Sequence, residues 1–180
     1  MAGLENYIEE NKNGNDTIDN LYRRHVHDLF SYASHLGFDA ETCKDAIHDV
    51  FYKLCINEKQ LDDVVNVRYY LLRSLKNRLL DIHKQRKEMS QLPSDSTNQE
   101  LPFTIHITIE DTLIQSEEEE NIKTIIGNML QSLTAHQREI IYLRYTQECE
   151  YEEIARLMNI SVHSCRKLVY KAITKLRSST

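Results

Sequence analysis

The chain has 180 residues and a formal net charge of −6, with 22 Lys and Arg against 28 Asp and Glu. No apolar run approaches the ~20 residues that a membrane span needs, which excludes insertion of this chain in a bilayer. The opening Met1-Ala2-Gly3-Leu4-Glu5-Asn6-Tyr7 lacks the basic-then-apolar order of a secretory signal, so a cytoplasmic protein of one large or two small domains is expected.

Four glycines, two prolines, no tryptophan and long stretches of 3.6-residue periodicity predict an all-α fold. After an N-terminal tail (1–16), a helix is expected from about Thr17 to Leu36, capped by Asp16 and stopped at Gly37. It would bury Ile18, Leu21, Tyr22, Val26, Leu29, Phe30 and Ala33. A second helix begins at Asp39 and turns Cys43, Ile47, Val50, Phe51 and Leu54 inward. Asp45, His48, Asp49 and Tyr52 recur at three- and four-residue steps on another of its faces. A third, about Asn66 to Lys87, puts Val67, Leu71, Leu75, Leu79 and Ile82 on one side. Arg73, Lys76, Asn77, Lys84 and Lys87 lie nearly opposite, interrupted by Leu80.

Charge is segregated along the chain. Residues 68–88 carry seven cations (Arg68, Arg73, Lys76, Arg78, Lys84, Arg86, Lys87) against Asp81 and Glu88, and residues 160–180 carry five against none. Both blocks suit phosphate contact. Residues 88–120 hold nine carboxylates and no Lys or Arg, which marks residues 89–116 as an acidic linker between two small helical domains. Within it Leu101, Phe103, Ile105, Ile107 and Ile109 alternate with polar neighbours in a strand-like rhythm, so this stretch is expected to pack against one of the domains. Glu117 to Glu120 read as the first turn of a helix, where carboxylates meet the positive end of the dipole.

The richest segment is the last. Ile154, Ala155 and Met158 give a short helix its apolar face, Asn159 can take a left-handed turn, and Ser161 caps the next helix. In that helix Cys165, Leu168, Val169, Ala172 and Leu176 fall on one side and His163, Arg166, Lys167, Tyr170 and Lys171 on the other. This is a helix-turn-helix whose second helix is built to enter a major groove.

The spacing of residues 138–177 resembles the carboxy-terminal domain, region 4, of bacterial RNA polymerase sigma factors. Response-regulator DNA-binding domains share much of that pattern, including an opening like Leu133-Thr134-Ala135-His136-Gln137-Arg138-Glu139. A second match lies upstream. Asp45-Ala46-Ile47-His48-Asp49-Val50-Phe51, followed by Asn77, Asp81 and Lys84, is similar to the Asp-x-x-Gln-Glu-Val-Phe and Asn-x-x-x-Asp-x-x-Arg patterns of sigma region 2. The two together resemble the extracytoplasmic-function class, with region 2 at 17–88 and region 4 at 117–180. Departures are His48 for glutamine, Glu150 for a capping serine or threonine, and Lys84 for arginine.

The resemblance implies roles. Asp45, His48, Asp49 and Tyr52 would dock on the clamp of the largest subunit of core RNA polymerase. Arg73, Lys76, Asn77, Lys84 and Lys87 would engage the minus-ten promoter element, with a flipped base taken near the loop Asn57 to Asn66. His163, Ser164, Arg166, Lys167 and Lys171 would hold the minus-thirty-five element, with Lys175 and Arg177 reaching backbone only. The acidic linker would follow the polymerase channel, and an anti-sigma factor, membrane-bound or not, would be a further partner. Tyr69 and Tyr70 are the aromatics nearest the base pocket.

No nucleophile–base pair, phosphate loop or carboxylate dyad stands out, so no catalytic residue is expected. Cys43, Cys55, Cys149 and Cys165 lack paired spacing and read as reduced thiols. His25, His27, His35, His83, His106, His136 and His163 form no ligand set, so neither metal nor cofactor is expected. The competing class is a transcriptional regulator of the response-regulator effector type, whose receiver would need alternating strands and helices that residues 1–90 lack. A helical adaptor without nucleic acid would leave both basic helices unexplained.

Overall fold

The computed structural model describes residues 14–56, 64–89, 101–105 and 117–178. Among them the chain forms seven α-helices: α1 (Gly14–His35), α2 (Ala40–Ile56), α3 (Val67–Met89), α4 (Glu117–Ser132), α5 (Ala135–Ile141), α6 (Tyr151–Leu157) and α7 (Val162–Ser178). A π turn, Tyr142–Thr146, follows α5. The all-α expectation holds. Residues 57–63 of the expected base-pocket loop Asn57 to Asn66, most of the tail and most of the linker, with Ile107 and Ile109, lie outside the described residues. Contacts divide the chain into two units, Met1–Ser34 with Phe38–Glu100 and His35–Gly37 with Leu101–Thr180.

The first unit is three helices around a leucine-rich core. α1 starts at Gly14, so Asp16 lies inside the helix and not at its cap. Ile18, Leu21, Leu29, Tyr32 and Ala33 are buried along it. Tyr22, Val26 and Phe30, expected in the core, are only half-buried, and Tyr32 takes the central place instead. From α2 come Cys43, Ile47, Val50, Phe51 and Leu54, and from α3 Leu71, Leu72, Leu75 and Leu79. Each fully buried leucine contributes ~1.5–3 kcal/mol relative to exposure, so this face holds α3 in place. Both helix starts are capped by the residue expected to open them. Asp39 Oδ1 accepts from Thr42 N at 2.9 Å, and Asn66 Oδ1 from Tyr69 N at 3.1 Å.

The second unit is built on α5, α6 and α7. Thr134 opens α5 with a reciprocal capping box: Gln137 N donates to Thr134 Oγ1 at 3.2 Å and Thr134 N to Gln137 Oε1 at 3.0 Å. α5 then widens into the π turn, which the sequence periodicity did not foretell. There Gln147 N donates to Tyr142 O at 3.0 Å and Gln147 Nε2 to the Tyr142 hydroxyl at 3.0 Å, so a buried glutamine locks the wide turn. Asn159 has φ 53° and Ser161 Oγ accepts from Ser164 N at 3.0 Å, as the turn between α6 and α7 requires. Ile140, Leu143, Ile154, Ala155, Cys165, Val169 and Ala172 form the core.

Leu101–Ile105 joins this unit outside any helix or strand. The alternation is realised over these five residues: Leu101 and Phe103 are buried, Pro102 and Thr104 exposed. A segment outside helix and sheet still needs its buried backbone groups satisfied. Thr104 N donates to His35 O at 2.8 Å and Arg138 Nε to Phe103 O at 2.6 Å. Arg138 also reaches Leu133 O at 2.7 Å, which ties the segment to the start of α5. The Phe103 ring lies 5.6 Å from both His35 and Tyr142. Gly37 has φ 85°, a conformation that favours glycine, and a Cβ there would stand tightly, 3.0 Å from Pro102 Cγ.

Candidate nucleic-acid interface

Burial of Cys165, Val169 and Ala172 fixes which side of α7 faces out. His163, Ser164, Arg166, Lys167 and Lys171 are all exposed on it, joined by Tyr170 at 71% exposure. They are not equally available. The Ser164 hydroxyl is engaged by Ser161 Oγ at 2.9 Å within the cap. Arg166 leans toward α6, with Nη2 3.8 Å from Glu152 Oε1 and its guanidinium 5.5 Å from the centroid of Tyr151. Lys175 donates to the Ser132 carbonyl at the end of α4, so it serves the fold where backbone contact to DNA was expected.

On α3 the seven cations separate into two groups. Arg68 Nη2 bonds Asp28 at 2.7 Å, Arg78 Nε bonds Asp49 at 2.7 Å, and Arg86 Nη2 bonds Thr42 Oγ1 at 2.6 Å. These three arginines fasten α3 to α1 and α2. Arg73, Asn77 and Lys84 stand exposed on another side, with Lys76 and Lys87 half-buried at its edges. Leu80, within the same stripe, is half-buried.

The α2 face expected to meet a partner is likewise divided. Asp45 and His48 are exposed and Tyr52 is 66% exposed, whereas Asp49 is half-buried and committed to Arg78. His48 lies 3.4 Å from the Tyr22 hydroxyl, its ring stacked at 28° on that tyrosine.

Titratable groups are tuned by local packing. Backbone and side-chain hydrogen bonds from Thr42 pull the Asp39 carboxyl down to about 2. Burial, then the charge of Arg68, lowers His25. Burial raises the thiols of Cys43 and Cys165, which keeps them protonated and unreactive. Among the described residues no group of three or more His, Cys, Asp or Glu is arranged to hold a metal ion, and no helix is long and apolar enough to cross a membrane.

Two family models match in order: sigma-70 region 2 over residues 21–88 and sigma-70 region 4 over residues 123–176. The ECF RNA polymerase sigma factor SigM of Bacillus subtilis is 23% identical over 172 residues, 90% of this chain and 94% of that protein. The chain belongs to the extracytoplasmic-function sigma factors of the sigma-70 family. The sigma factor YlaC of the same organism is 25% identical over 169 residues, 90% of this chain and 95% of its own. Among solved structures, the Bartonella quintana sigma factor RpoE in complex with the anti-sigma factor NepR shares the fold. Its TM-score is 0.59 at 20% identity, over 89% of this sigma factor and 94% of that chain. CnrH in complex with the cytosolic domain of CnrY matches with a TM-score of 0.52 at 18% identity, over 91% and 87%. As a sigma factor, the chain is a transcription initiation factor that binds core RNA polymerase and recognises promoter DNA. The family membership favours this reading over the response-regulator alternative.

Sequence reasoning missed the internal use of Arg68, Arg78 and Arg86, and it missed Tyr151 and Arg144, whose guanidinium lies 4.9 Å from the Tyr151 ring. A basic stretch reads alike whether its cations face a carboxylate of the same protein or a phosphate. Only the positions of Asp28, Asp49 and Asp39 in the fold tell them apart.

Proposed function

We propose that this sigma factor divides promoter recognition between its two units. α7 reads the minus-thirty-five element through His163, Ser164, Arg166, Lys167 and Lys171, and α3 engages the minus-ten element through Arg73, Lys76, Asn77, Lys84 and Lys87. The observation that carries the reading is the separation of α3 cations, since Arg73 and Lys84 stand exposed while three arginines serve the fold. Asp45, His48 and Tyr52 on α2 dock on the clamp of core polymerase, with Asp49 setting the distance to α3 through Arg78. The chemistry is recruitment: no residue is assigned a covalent step, and the protein works in the cytoplasm where polymerase and promoter are. By kinship with sigma factors solved in anti-sigma complexes, an anti-sigma factor is its proposed regulator.

Footprinting of holoenzyme, reconstituted from this chain and core polymerase on a promoter selected from a library, tests the division. Lys167→Ala with Lys171→Ala should weaken protection upstream, and Arg73→Ala with Lys84→Ala should weaken it at the minus-ten element. Loss at the opposite element, or unchanged protection in both, overturns the assignment.

A further inference from the structure

We propose that Tyr151 and Glu152 act as positioning residues that hold the Arg166 guanidinium in its reading pose, an inference that rests on the base-reading role given to Arg166 above. Tyr151 is the first residue of α6, and its ring is the place where three elements meet: the π turn, α6 and α7. Arg144 of the π turn stands 4.9 Å from the ring centroid and Arg166 of α7 stands 5.5 Å from it, both within the ~6 Å reach of a cation–π contact. Two guanidinium groups beside one ring repel each other unless each has a carboxylate. Glu150 Oε2 lies 3.4 Å from Arg144 Nη1 and Glu152 Oε1 lies 3.8 Å from Arg166 Nη2.

The two arginines are held to different degrees. Arg144 also donates to Cys149 O at 2.9 Å and its side chain is 29% exposed, so it is a fixed wall. The side chain of Arg166 is 64% exposed and its partner Glu152 58%, and an ion pair so open to water is weak. Arg166 is therefore aimed without being trapped. A free arginine on a helix surface must surrender rotamer freedom when it forks onto a guanine edge, whereas one already lying along an aromatic ring surrenders less. Glu152 adds discrimination. Its carboxylate stands beside the reading position, so Arg166 leaves it at a gain only where a base offers two acceptors.

The test is a double-mutant cycle on holoenzyme, scored as base preference over a library randomised in the upstream element. Arg166→Ala should relax preference at one base pair. Tyr151→Leu, which keeps apolar bulk and removes the ring face, should relax the same pair by about threefold, as expected of an exposed cation–π contact. Tyr151→Phe should restore it, and Glu152→Gln should raise binding to unselected sequences. With Arg166 already alanine, Tyr151→Leu should change nothing further. Should Tyr151→Leu disturb folding, the Arg166 Nε proton resonance in the full chain gives an independent reading, since Tyr151→Phe must keep its ring-current shift and a wild-type shift at the value of free arginine overturns the contact. An unchanged preference in Arg166→Ala overturns the base-reading role itself. A clear effect there, with none in Tyr151→Leu or with equal losses in both backgrounds, overturns the positioning role alone.

Discussion

The two cationic helices, α3 and α7, look alike as sequence and differ in what their arginines do. On α3, Arg68, Arg78 and Arg86 each meet an Asp or Thr of another helix at 2.7 Å or less, which leaves Arg73, Lys84 and their neighbours for the proposed reading of DNA. On α7 apolar packing through Cys165, Val169 and Ala172 does most of the fastening, with Lys175 bonded to the Ser132 carbonyl, and Arg166 keeps exposed contacts alone, 3.8 Å from Glu152 and 5.5 Å from the Tyr151 ring centroid. A helix fixed by apolar side chains can leave its charges to a ligand. One fixed partly by ion pairs cannot, so a count of cations overstates the DNA-facing charge of α3.

The cores beneath the two helices differ as well, and this gives the largest expected effect. α3 rests on long helices, whereas the unit that carries α7 also depends on Leu101 and Phe103, which lie outside its helices. Phe103 is 1% exposed, so Phe103→Ala should destabilise that unit by ~3–5 kcal/mol, the usual result of emptying an aromatic site. Thermal unfolding with separate probes in each unit checks this. A transition of the α5–α7 probe that does not move would make the segment an accessory.

The charge-dependent half of the comparison is sharpened at Asp45 and Asp49, four residues apart on α2. Asp49→Lys faces Arg78 across a part-buried contact and should cost about 1–2 kcal/mol of stability. Asp45→Lys alters an exposed site and should leave stability within about 0.5 kcal/mol. Only the second variant tests docking cleanly: like charge at an interface costs several kcal/mol, so Asp45→Lys should lose core polymerase in a pull-down while unfolding normally. Equal melting of the two variants would dissolve the distinction between structural and docking carboxylates.

Salt titration of promoter binding separates the cations themselves. Neutralising Lys171 or Lys84 should lower the slope of log affinity against log salt by about one each. Neutralising Arg78 should leave the slope alone and appear only as lost stability. A smaller slope for Arg78→Gln in protein that is still folded would return that arginine to the DNA face.

How much of this was legible in the sequence depends on the distance over which each signal acts. Period-3.6 patterns and local caps act within one turn. Accordingly Asp39, Asn66, Asn159 and Ser161 stand where expected and the inward faces of α2 and α6 are as read, whereas on α7 Leu168 and Leu176 are only half-buried beside Cys165, Val169 and Ala172. α1 starts earlier than its apolar rhythm predicts, because Gly14 and Asn15, poor helix formers, precede that rhythm. Signals that join distant residues were invisible: Asp49 with Arg78, Phe103 with Arg138, Tyr151 with Arg166. The π turn had no signature either, because its lock is a buried Gln147 reaching back to the Tyr142 hydroxyl. Family resemblance supplied the roles of the faces, and no pattern in the chain could have separated a cation that binds DNA from one that braces a helix.

The smallest expected effect lies at the start of α2, where α3 is braced a third time. Asp39 accepts from Thr42 N at 2.9 Å and from Thr42 Oγ1 at 2.7 Å, while Arg86 Nη2 donates to the same Thr42 hydroxyl and Nη1 lies 3.6 Å from the carboxylate. Those hydrogen bonds favour the ionised form and take the carboxyl from its ordinary 3.8 to about 2. A depressed carboxylate binds fewer protons folded than unfolded, so its contribution is fully present above about pH 4 and fades as pH falls toward 2. Asp39→Asn keeps an acceptor for the Thr42 amide and removes the charge. Its urea midpoint should therefore fall below that of the wild type at pH 6, and the gap should narrow steadily between pH 4 and pH 2. A gap constant with pH would mean that Asp39 acts as a neutral cap alone, with Arg86 held by the Thr42 hydroxyl and not by charge.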